Sequence, residues 1–225
     1  MGFVRASRSF AVTCLGMSFS LVQGLVSPMH PLKGHVFIAT SVDGYIATRN
    51  GNIDWLTSQP TIDGEDFGFA DFLKTMDVMI MGRNTFNVVV GFGKEAWAYA
   101  DLPVVVWTRN MDNVPRPAWL PSSVSIQSAS SPKELLEQLL KVNEGYKRAY
   151  IDGGKTVQSF LNAGLIDEMT ITKIPLVLGD GIPLFSPSDE GKQQPLAHLS
   201  TKAYPNGFVV SKYKVVPRRD DDQEK

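Results

Sequence analysis

The stretch that decides the fold reads Asp77-Val-Met-Ile-Met-Gly82-Arg83-Asn-Thr85-Phe86. It begins with a short apolar run, which predicts a buried β-strand. Glycine ends the run, and the polar residues that follow at once are typical of the first turn of a helix. A strand that passes directly into a helix is the repeating unit of open α/β sheets. We therefore expect the same unit to recur on both sides of this stretch.

The flanking sequence does repeat the pattern. Apolar runs rich in β-forming residues predict further strands, at 35–40, 104–107, 149–151 and 169–174. Helical spacing of apolar residues predicts helices at 65–76, after Ser131-Pro132, and at 155–163. Pro205-Asn206-Gly207 joins two last strands, 196–203 and 208–216, as an antiparallel hairpin. The predicted fold class is α/β, with a mostly parallel central sheet and an antiparallel C-terminal hairpin.

The chain divides into one domain, 35–216, and two flanking segments. Segment 1–34 contains arginine and serine but no acidic residue, so it is interpreted as a targeting peptide or a disordered extension. Its apolar run is too polar to predict stable membrane insertion. We expect a soluble protein, cytoplasmic or, if 1–34 is a targeting peptide, organellar. The charged end, 217–225, is expected to be a disordered tail.

Composition excludes several classes of function. A net charge of −1 gives no indication of nucleic-acid binding. The single cysteine, Cys14, lies outside the predicted domain, and the three histidines are widely spaced, so we expect no metal site.

Three predicted strand ends carry groups that suit a phosphate. Glycines allow close approach of a ligand, helix amino ends offer free N–H groups, and arginine adds a fixed charge. These groups are Gly82, Arg83 and Thr85 after one strand, Thr108 and Arg109 after another, and Gly153, Gly154 and Thr156 after a third. Because ligands of open α/β sheets bind outside the carboxyl ends of the strands, we expect a dinucleotide with an extra phosphate there.

Two better-known phosphate motifs are excluded. Gly154-Lys155-Thr156 matches the end of a nucleotide-triphosphate P-loop, but Ala149 stands where that motif needs its first glycine. Gly91-Phe92-Gly93 lacks the third glycine of the Rossmann pattern. A phosphate-transfer enzyme is therefore disfavoured.

An ordered set of motifs resembles the dihydrofolate-reductase-like superfamily. Within it, the set is most similar to the family named for the C-terminal reductase domain of bifunctional riboflavin-biosynthesis deaminase–reductases (RibD). The motifs are Ala39-Thr-Ser-Val-Asp43-Gly44-Tyr-Ile-Ala47, Gly51-Asn-Ile-Asp54-Trp55-Leu56, Met81-Gly-Arg-Asn-Thr-Phe86, Asp152-Gly-Gly154 and Pro175-Leu-Val-Leu-Gly179-Asp-Gly181-Ile-Pro-Leu-Phe185.

The resemblance implies a three-layer fold, a homodimer, and NADPH as hydride donor. It assigns the cofactor to the three strand ends named above, with Ala39 and Ile46 flanking the nicotinamide. It places Asp43 and Trp55 on the substrate side, and Asp43 is also a candidate catalytic residue. The substrate would be a small pterin-like or pyrimidine-like heterocycle, similar to that of 5-amino-6-(5-phosphoribosylamino)uracil reductase.

The sequence departs from the riboflavin reductases of this family. Tyr45 stands where they usually carry lysine or arginine, and segment 87–94 lacks their Asp-Asn-Pro motif for the ribosyl phosphate. No deaminase zinc motif precedes the domain. These departures favour the stand-alone branch of the family.

Reduction of an imine-like carbon also needs a proton donor. The resemblance implies Asp66, on the predicted first helix, as the main candidate, because dihydrofolate reductases place their acid at a similar position before the Met-Gly-Arg motif; Asp43 and Asp54 are rivals. A carboxylate at a helix start that only stabilises the helix is the alternative interpretation of Asp66. Two other functions stay open at this point: a dihydrofolate-reductase-type activity, and a nucleotide-binding or dimerising module that has lost turnover.

Overall fold

The computed structural model describes residues 30–186 and 193–218. The predicted targeting segment up to residue 29, and the tail from 219, lie outside the described residues. The strands are β1 (Lys33–Ser41), β2 (Tyr45–Ala47), β3 (Val78–Gly82), β4 (Val104–Trp107), β5 (Val124–Gln127), β6 (Arg148–Asp152), β7 (Ile166–Ile174), β8 (Ile182–Pro183), β9 (Leu196–Ala203) and β10 (Val209–Val215). The helices are α1 (Asp54–Thr57), α2 (Phe69–Lys74), α3 (Arg83–Gly91), α4 (Pro132–Val142) and α5 (Gly154–Asn162).

Eight strands form one sheet in the order β5-β4-β3-β6-β1-β7-β10-β9. The pairs from β5 to β7 are parallel, whereas β10 pairs antiparallel with both β7 and β9. This confirms the predicted fold class, a mostly parallel sheet closed by an antiparallel hairpin. Because β3, β4 and β6 are parallel neighbours, their carboxyl ends share one edge, and that edge positions the candidate site.

The sheet is packed on both faces. Leu135, Leu136 and Leu139 of α4 and Phe160 of α5 pack on one face with Ile151 of the sheet. The other face packs against α2 and α3, in a cluster that includes Phe86 and the aromatic rings at 69 and 72. The three layers follow from these two apolar clusters.

Helix α4 begins as the sequence predicts. The Ser131 hydroxyl accepts a hydrogen bond from the Glu134 backbone N–H, and proline occupies the first turn. The Glu134 carboxylate in turn accepts from Ser130 N.

Two predictions of local structure are wrong. The predicted helix 65–76 begins only at Phe69, because Phe67 and Gly68 have φ angles of 59° and 88°, which no right-handed helix allows. Strand β5 follows a proline-rich loop and has only four residues with a mixed polar pattern, so no strand was predicted there.

Within the described ranges, no helix combines the length and apolar character needed to cross a membrane.

Candidate functional site

The turns after β3 and β6 are packed directly against each other. A Cβ atom added to Gly82 would lie 2.9 Å from the Thr156 hydroxyl, and one added to Gly153 would collide with the Thr85 hydroxyl. Only the missing side chains allow this approach. The close contact brings the amino ends of α3 and α5 side by side, with the two threonine hydroxyls between the turns.

Both helix amino ends present backbone N–H groups to this edge. Neither Gly82 nor Gly153, the residues that precede α3 and α5, provides a side-chain cap. Uncapped N–H groups and the positive end of the helix dipole favour an anion at such a position. Two of them together suit the two linked phosphates of a dinucleotide.

The Ile46 side chain, on β2, also lies beside the amino end of α5. Its Cδ1 would lie 2.8 Å from a Cβ on Gly154, so the isoleucine covers the start of α5. Strand β2 pairs with β8, and β8 follows the loop after β7. Ala39 lies half-buried on β1 beside Thr172 of β7, nearer the centre of the sheet.

Hydrogen bonds within the loop after β4 stabilise its conformation. Trp107 of β4 pairs with Gly82 of β3, so Thr108 and Arg109 follow at the same edge. The Thr108 hydroxyl donates to the Asn110 carbonyl at 2.9 Å, and Arg109 is exposed. Arg83, predicted to neutralise phosphate, donates to the carbonyls of Asn110 and Asn113 at 3.3 and 3.0 Å. Its guanidinium therefore fixes the loop that carries Arg109.

Sequence reasoning missed Asp152, the last residue of β6. One carboxylate oxygen accepts a 2.8 Å hydrogen bond from the Gly153 backbone N–H. Burial raises the pKa of Asp152 to about 6, although that hydrogen bond lowers it. A carboxyl group with a raised pKa at a strand end is a candidate proton donor. The signal in the sequence was its position directly before the glycine pair, which was interpreted only as part of a turn.

Asp43 is engaged with the backbone rather than free. Its carboxylate accepts from the N–H groups of Leu178 and Gly179 at 3.1 and 2.8 Å. It thereby ties the β1–β2 turn to the loop between β7 and β8. Asp43 is exposed and its carboxylate holds two backbone N–H groups, so we infer that it positions this loop.

The structure places Asp66 at the start of α2 and not beside the paired helix ends. Its carboxylate accepts hydrogen bonds from Gly68 N at 2.9 Å and Ala70 N at 2.6 Å. The Ala70 bond is the larger cause that lowers the pKa of this exposed carboxyl. This geometry favours the alternative interpretation, a carboxylate that stabilises the helix start, and we propose no catalytic role for Asp66.

The remaining substrate-side candidates lie around α1. Trp55 is half-buried, and its indole nitrogen has no hydrogen-bond partner among the described residues. Asp54 is exposed and accepts from the Asn52 side chain at 2.7 Å. In the part of the chain that the structure describes, no group of three or more acidic, histidine or cysteine side chains could hold a metal ion.

Segment 87–94, which departs from the riboflavin reductases, mostly completes helix α3. Val89 and Val90 are half-buried and pack against the core beside Phe86. Apolar packing therefore occupies part of the segment in which those enzymes carry their phosphate motif.

Comparisons with known proteins identify the family of this chain. A family described as the RibD C-terminal domain matches residues 33–210. The Bacillus subtilis (strain 168) protein YwjB is 34% identical over 154 residues, which are 68% of this chain and 82% of YwjB. A Shewanella sp. PV-4 protein whose name points to riboflavin biosynthesis is 34% identical, with a TM-score of 0.73 over 83% of this chain and all of that one.

The fold extends to a more distant enzyme. Dihydrofolate reductase from Enterococcus faecalis, solved with NADP(H), superposes with a TM-score of 0.52 at 17% identity, over 81% of this chain and 96% of that one. At this identity the match shows the dihydrofolate-reductase-like fold alone.

Proposed function

The chain belongs to the RibD C-terminal domain family, and from that premise we propose that it is an NADPH-dependent reductase of a small pterin-like or pyrimidine-like heterocycle. One observation carries the proposal. The uncapped amino ends of α3 and α5 meet through Gly82–Thr156 and Gly153–Thr85, directly beside the half-buried Asp152. A reductase with a dinucleotide cofactor requires groups that hold the cofactor and a group that supplies a proton to the substrate.

The residues at this edge fit the cofactor. The N–H groups at the starts of α3 and α5, with the Thr85 and Thr156 hydroxyls, would hold the linked phosphates. Arg109, exposed on a loop that Arg83 fixes, would meet the additional phosphate that separates NADPH from NADH. Ile46, with Ala39, would cover the nicotinamide side. When bound, NADPH supplies the hydride.

Asp152 supplies the proton in this proposal. One of its oxygens accepts from Gly153 N–H, so the other can carry the proton. Its pKa of about 6 keeps part of the population protonated near neutral pH. Addition of hydride to a ring carbon and of this proton to the neighbouring nitrogen saturates one C=N bond.

The substrate we propose lacks a ribosyl phosphate. Tyr45 replaces a cation, and Val89 and Val90 pack into the core within the segment where the riboflavin reductases bind that phosphate. A free heterocyclic base or pterin therefore suits the site better than its phosphoribosyl derivative.

Cofactor binding is the first test. Fluorescence titration should give tighter binding of NADPH than of NADH. Arg109→Ala should reduce that preference about tenfold, since a charge-assisted contact is lost. Arg116→Ala, which removes another exposed arginine farther along the same loop, should not change it. Failure to bind NADPH would overturn the proposal.

Turnover is the second test. NADPH oxidation should be followed with pterins, pyrimidines and their phosphoribosyl derivatives. Asp152→Asn should lower kcat about a hundredfold, a typical loss for a general acid. The exposed Asp101→Asn should retain full kcat. NADPH binding without oxidation by any heterocycle would favour a silent binding module.

A further inference from the structure

A cavity lies on the side of the sheet that packs against α2, away from the candidate site. Its volume is about 340 Å³, enough for a small organic molecule. The sheet contributes polar and charged side chains to its wall, and the α2 segment contributes phenylalanine rings. Its principal lining residues are His35, Arg148, Glu168, Thr170, Lys212 and Phe72.

The cavity is distinct from the proposed cofactor edge. Arg148 and Asp152 are the first and last residues of β6. At about 3.3 Å per residue they are roughly 13 Å apart along the strand. A ligand in the cavity would therefore sit near the amino ends of β1 and β6.

His35 and Arg148 contact each other in this wall. An Arg148 Nη2 lies 3.4 Å from His35 Nδ1. Because a guanidinium can only donate, Nδ1 accepts and the ring proton sits on Nε2. The His35 side chain is only 2% exposed, yet neither its Nε2 nor the Arg148 Nε has a hydrogen-bond partner among the described residues. Both nitrogens are enclosed by protein atoms, so a ligand in the cavity would contact the accessible part of the half-buried Arg148 side chain.

The wall contains two cations, Arg148 and Lys212, and two carboxylates, Asp71 and Glu168. Glu168 pairs with Lys212 at 3.0 Å and lies 3.9 Å from His35 Nδ1. Asp71, at the rim, pairs with Lys74 and is 86% exposed. Arg148 has no carboxylate within 4.0 Å of its guanidinium among residues 30–186 and 193–218. A half-buried cation without a counter-ion favours binding of an anion.

We propose that this cavity binds a small organic monocarboxylate. The planar fork of the Arg148 guanidinium matches a carboxylate, and the Thr170 and Ser200 hydroxyls line the same cavity. The apolar body of the ligand would rest against Phe72 and Phe67. This site does not depend on the reductase function proposed above.

The test uses benzoate as the probe and the full chain as the protein. Benzoate should bind saturably in a calorimetric or NMR titration, and should shift the ring protons of His35, assigned with His35→Gln. Arg148→Gln should weaken binding about tenfold, while Glu168→Gln should strengthen it, because a competing carboxylate is removed. If Arg148 had only a structural role, benzoate affinity would not fall in Arg148→Gln and rise in Glu168→Gln.

Controls separate this site from general charge effects. Arg116→Gln removes an exposed arginine elsewhere and should leave benzoate binding unchanged. If Arg148→Gln does not fold, Lys212→Gln, whose side chain is 43% exposed, should also weaken binding. The proposal is overturned if benzoate does not bind saturably, if inorganic phosphate binds and benzoate does not, or if Glu168→Gln weakens binding.

Discussion

The Asp43 carboxylate accepts a 2.8 Å hydrogen bond from the backbone N–H of Gly179. The bond joins the turn after β1 to the loop after β7, although 136 residues separate the two in sequence. A hydrogen bond from the Ser41 side chain, and those from Leu178 and Gly179, lower the pKa of Asp43 to about 2. Asp43 is therefore ionised at every physiological pH, so both of its oxygens remain acceptors for the N–H groups of the loop after β7.

Asp43→Asn should impair the site without unfolding the protein. The amide keeps one acceptor oxygen but turns an NH₂ group toward a backbone donor. The loop after β7 should move, and KM for the heterocycle should rise about tenfold, since small displacements of positioning groups are costly. Steady-state kinetics and a thermal melt measure the two effects.

Asp180→Asn is the matched control for that loop. Among the described residues, the Asp180 side chain makes only an exposed ion pair with Arg49, so its loss should change neither KM nor the melting temperature noticeably. Equal kinetic effects of the two substitutions would show that loop charge, and not the Asp43 brace, is responsible.

Asp152 should make the protein less stable as the pH rises. Its folded-state pKa of about 6 lies above the ordinary value of 3.8, so the folded chain binds the proton more tightly than the unfolded chain. The free energy of unfolding should fall between pH 4 and 6 and stay low above that, by roughly 3 kcal/mol at most. Asp152→Asn, which is neutral at all pH values, should abolish this decline.

Urea unfolding from pH 4 to pH 8 measures the difference between the two proteins. The gain in stability of Asp152→Asn over the unmodified chain should be larger at pH 8 than at pH 4. A constant difference across this range would mean that Asp152 titrates normally.

The sequence predicts what depends on neighbouring residues and misses what depends on distant ones. Local apolar runs were enough to locate β3 and β4, and Ser131-Pro132 was enough to locate the start of α4. The late start of α2 depends on left-handed backbone at Phe67, and phenylalanine gives no indication of that conformation in the sequence.

The candidate site divides in the same way. The phosphate-suited strand ends could be predicted, since each is contiguous in sequence and parallel strands bring their ends together. The raised pKa of Asp152 results from burial by the assembled sheet, which no local pattern reveals. Nor could the sequence show that the Arg83 guanidinium donates hydrogen bonds to the backbone carbonyls of Asn110 and Asn113.

His35 should make the protein sensitive to acid. Burial, and next the charge of Arg148, lower its pKa to about 4, although Glu168 and Asp167 oppose this. The unfolded chain therefore binds the proton more tightly, and stability should be lost as the pH falls from 6.5 toward 4. The loss should be roughly 3 kcal/mol at most.

Thermal melts of His35→Gln should show a shallower decline over that pH range. His198→Gln removes a histidine on the exposed strand β9 and should follow the unmodified chain. An unchanged pH dependence in His35→Gln would place the acid sensitivity on other groups.

The contact between Gly153 and Thr85 can be measured by a double-mutant cycle. Gly153→Ala should destabilise the protein by about 2–4 kcal/mol, because φ is 89° and the new methyl group collides with the Thr85 hydroxyl. Gly51→Ala has a similar φ of 83° and open space around it, so it shows the cost of a methyl group at positive φ without a collision. Thr85→Ala removes the hydroxyl. When it is combined with Gly153→Ala, the double variant should recover the part of the stability loss in Gly153→Ala that exceeds the loss in Gly51→Ala. Chemical denaturation of the unmodified chain, Gly153→Ala, Thr85→Ala and the double variant gives the coupling energy. A coupling energy near zero would mean that the turns after β3 and β6 are not in contact.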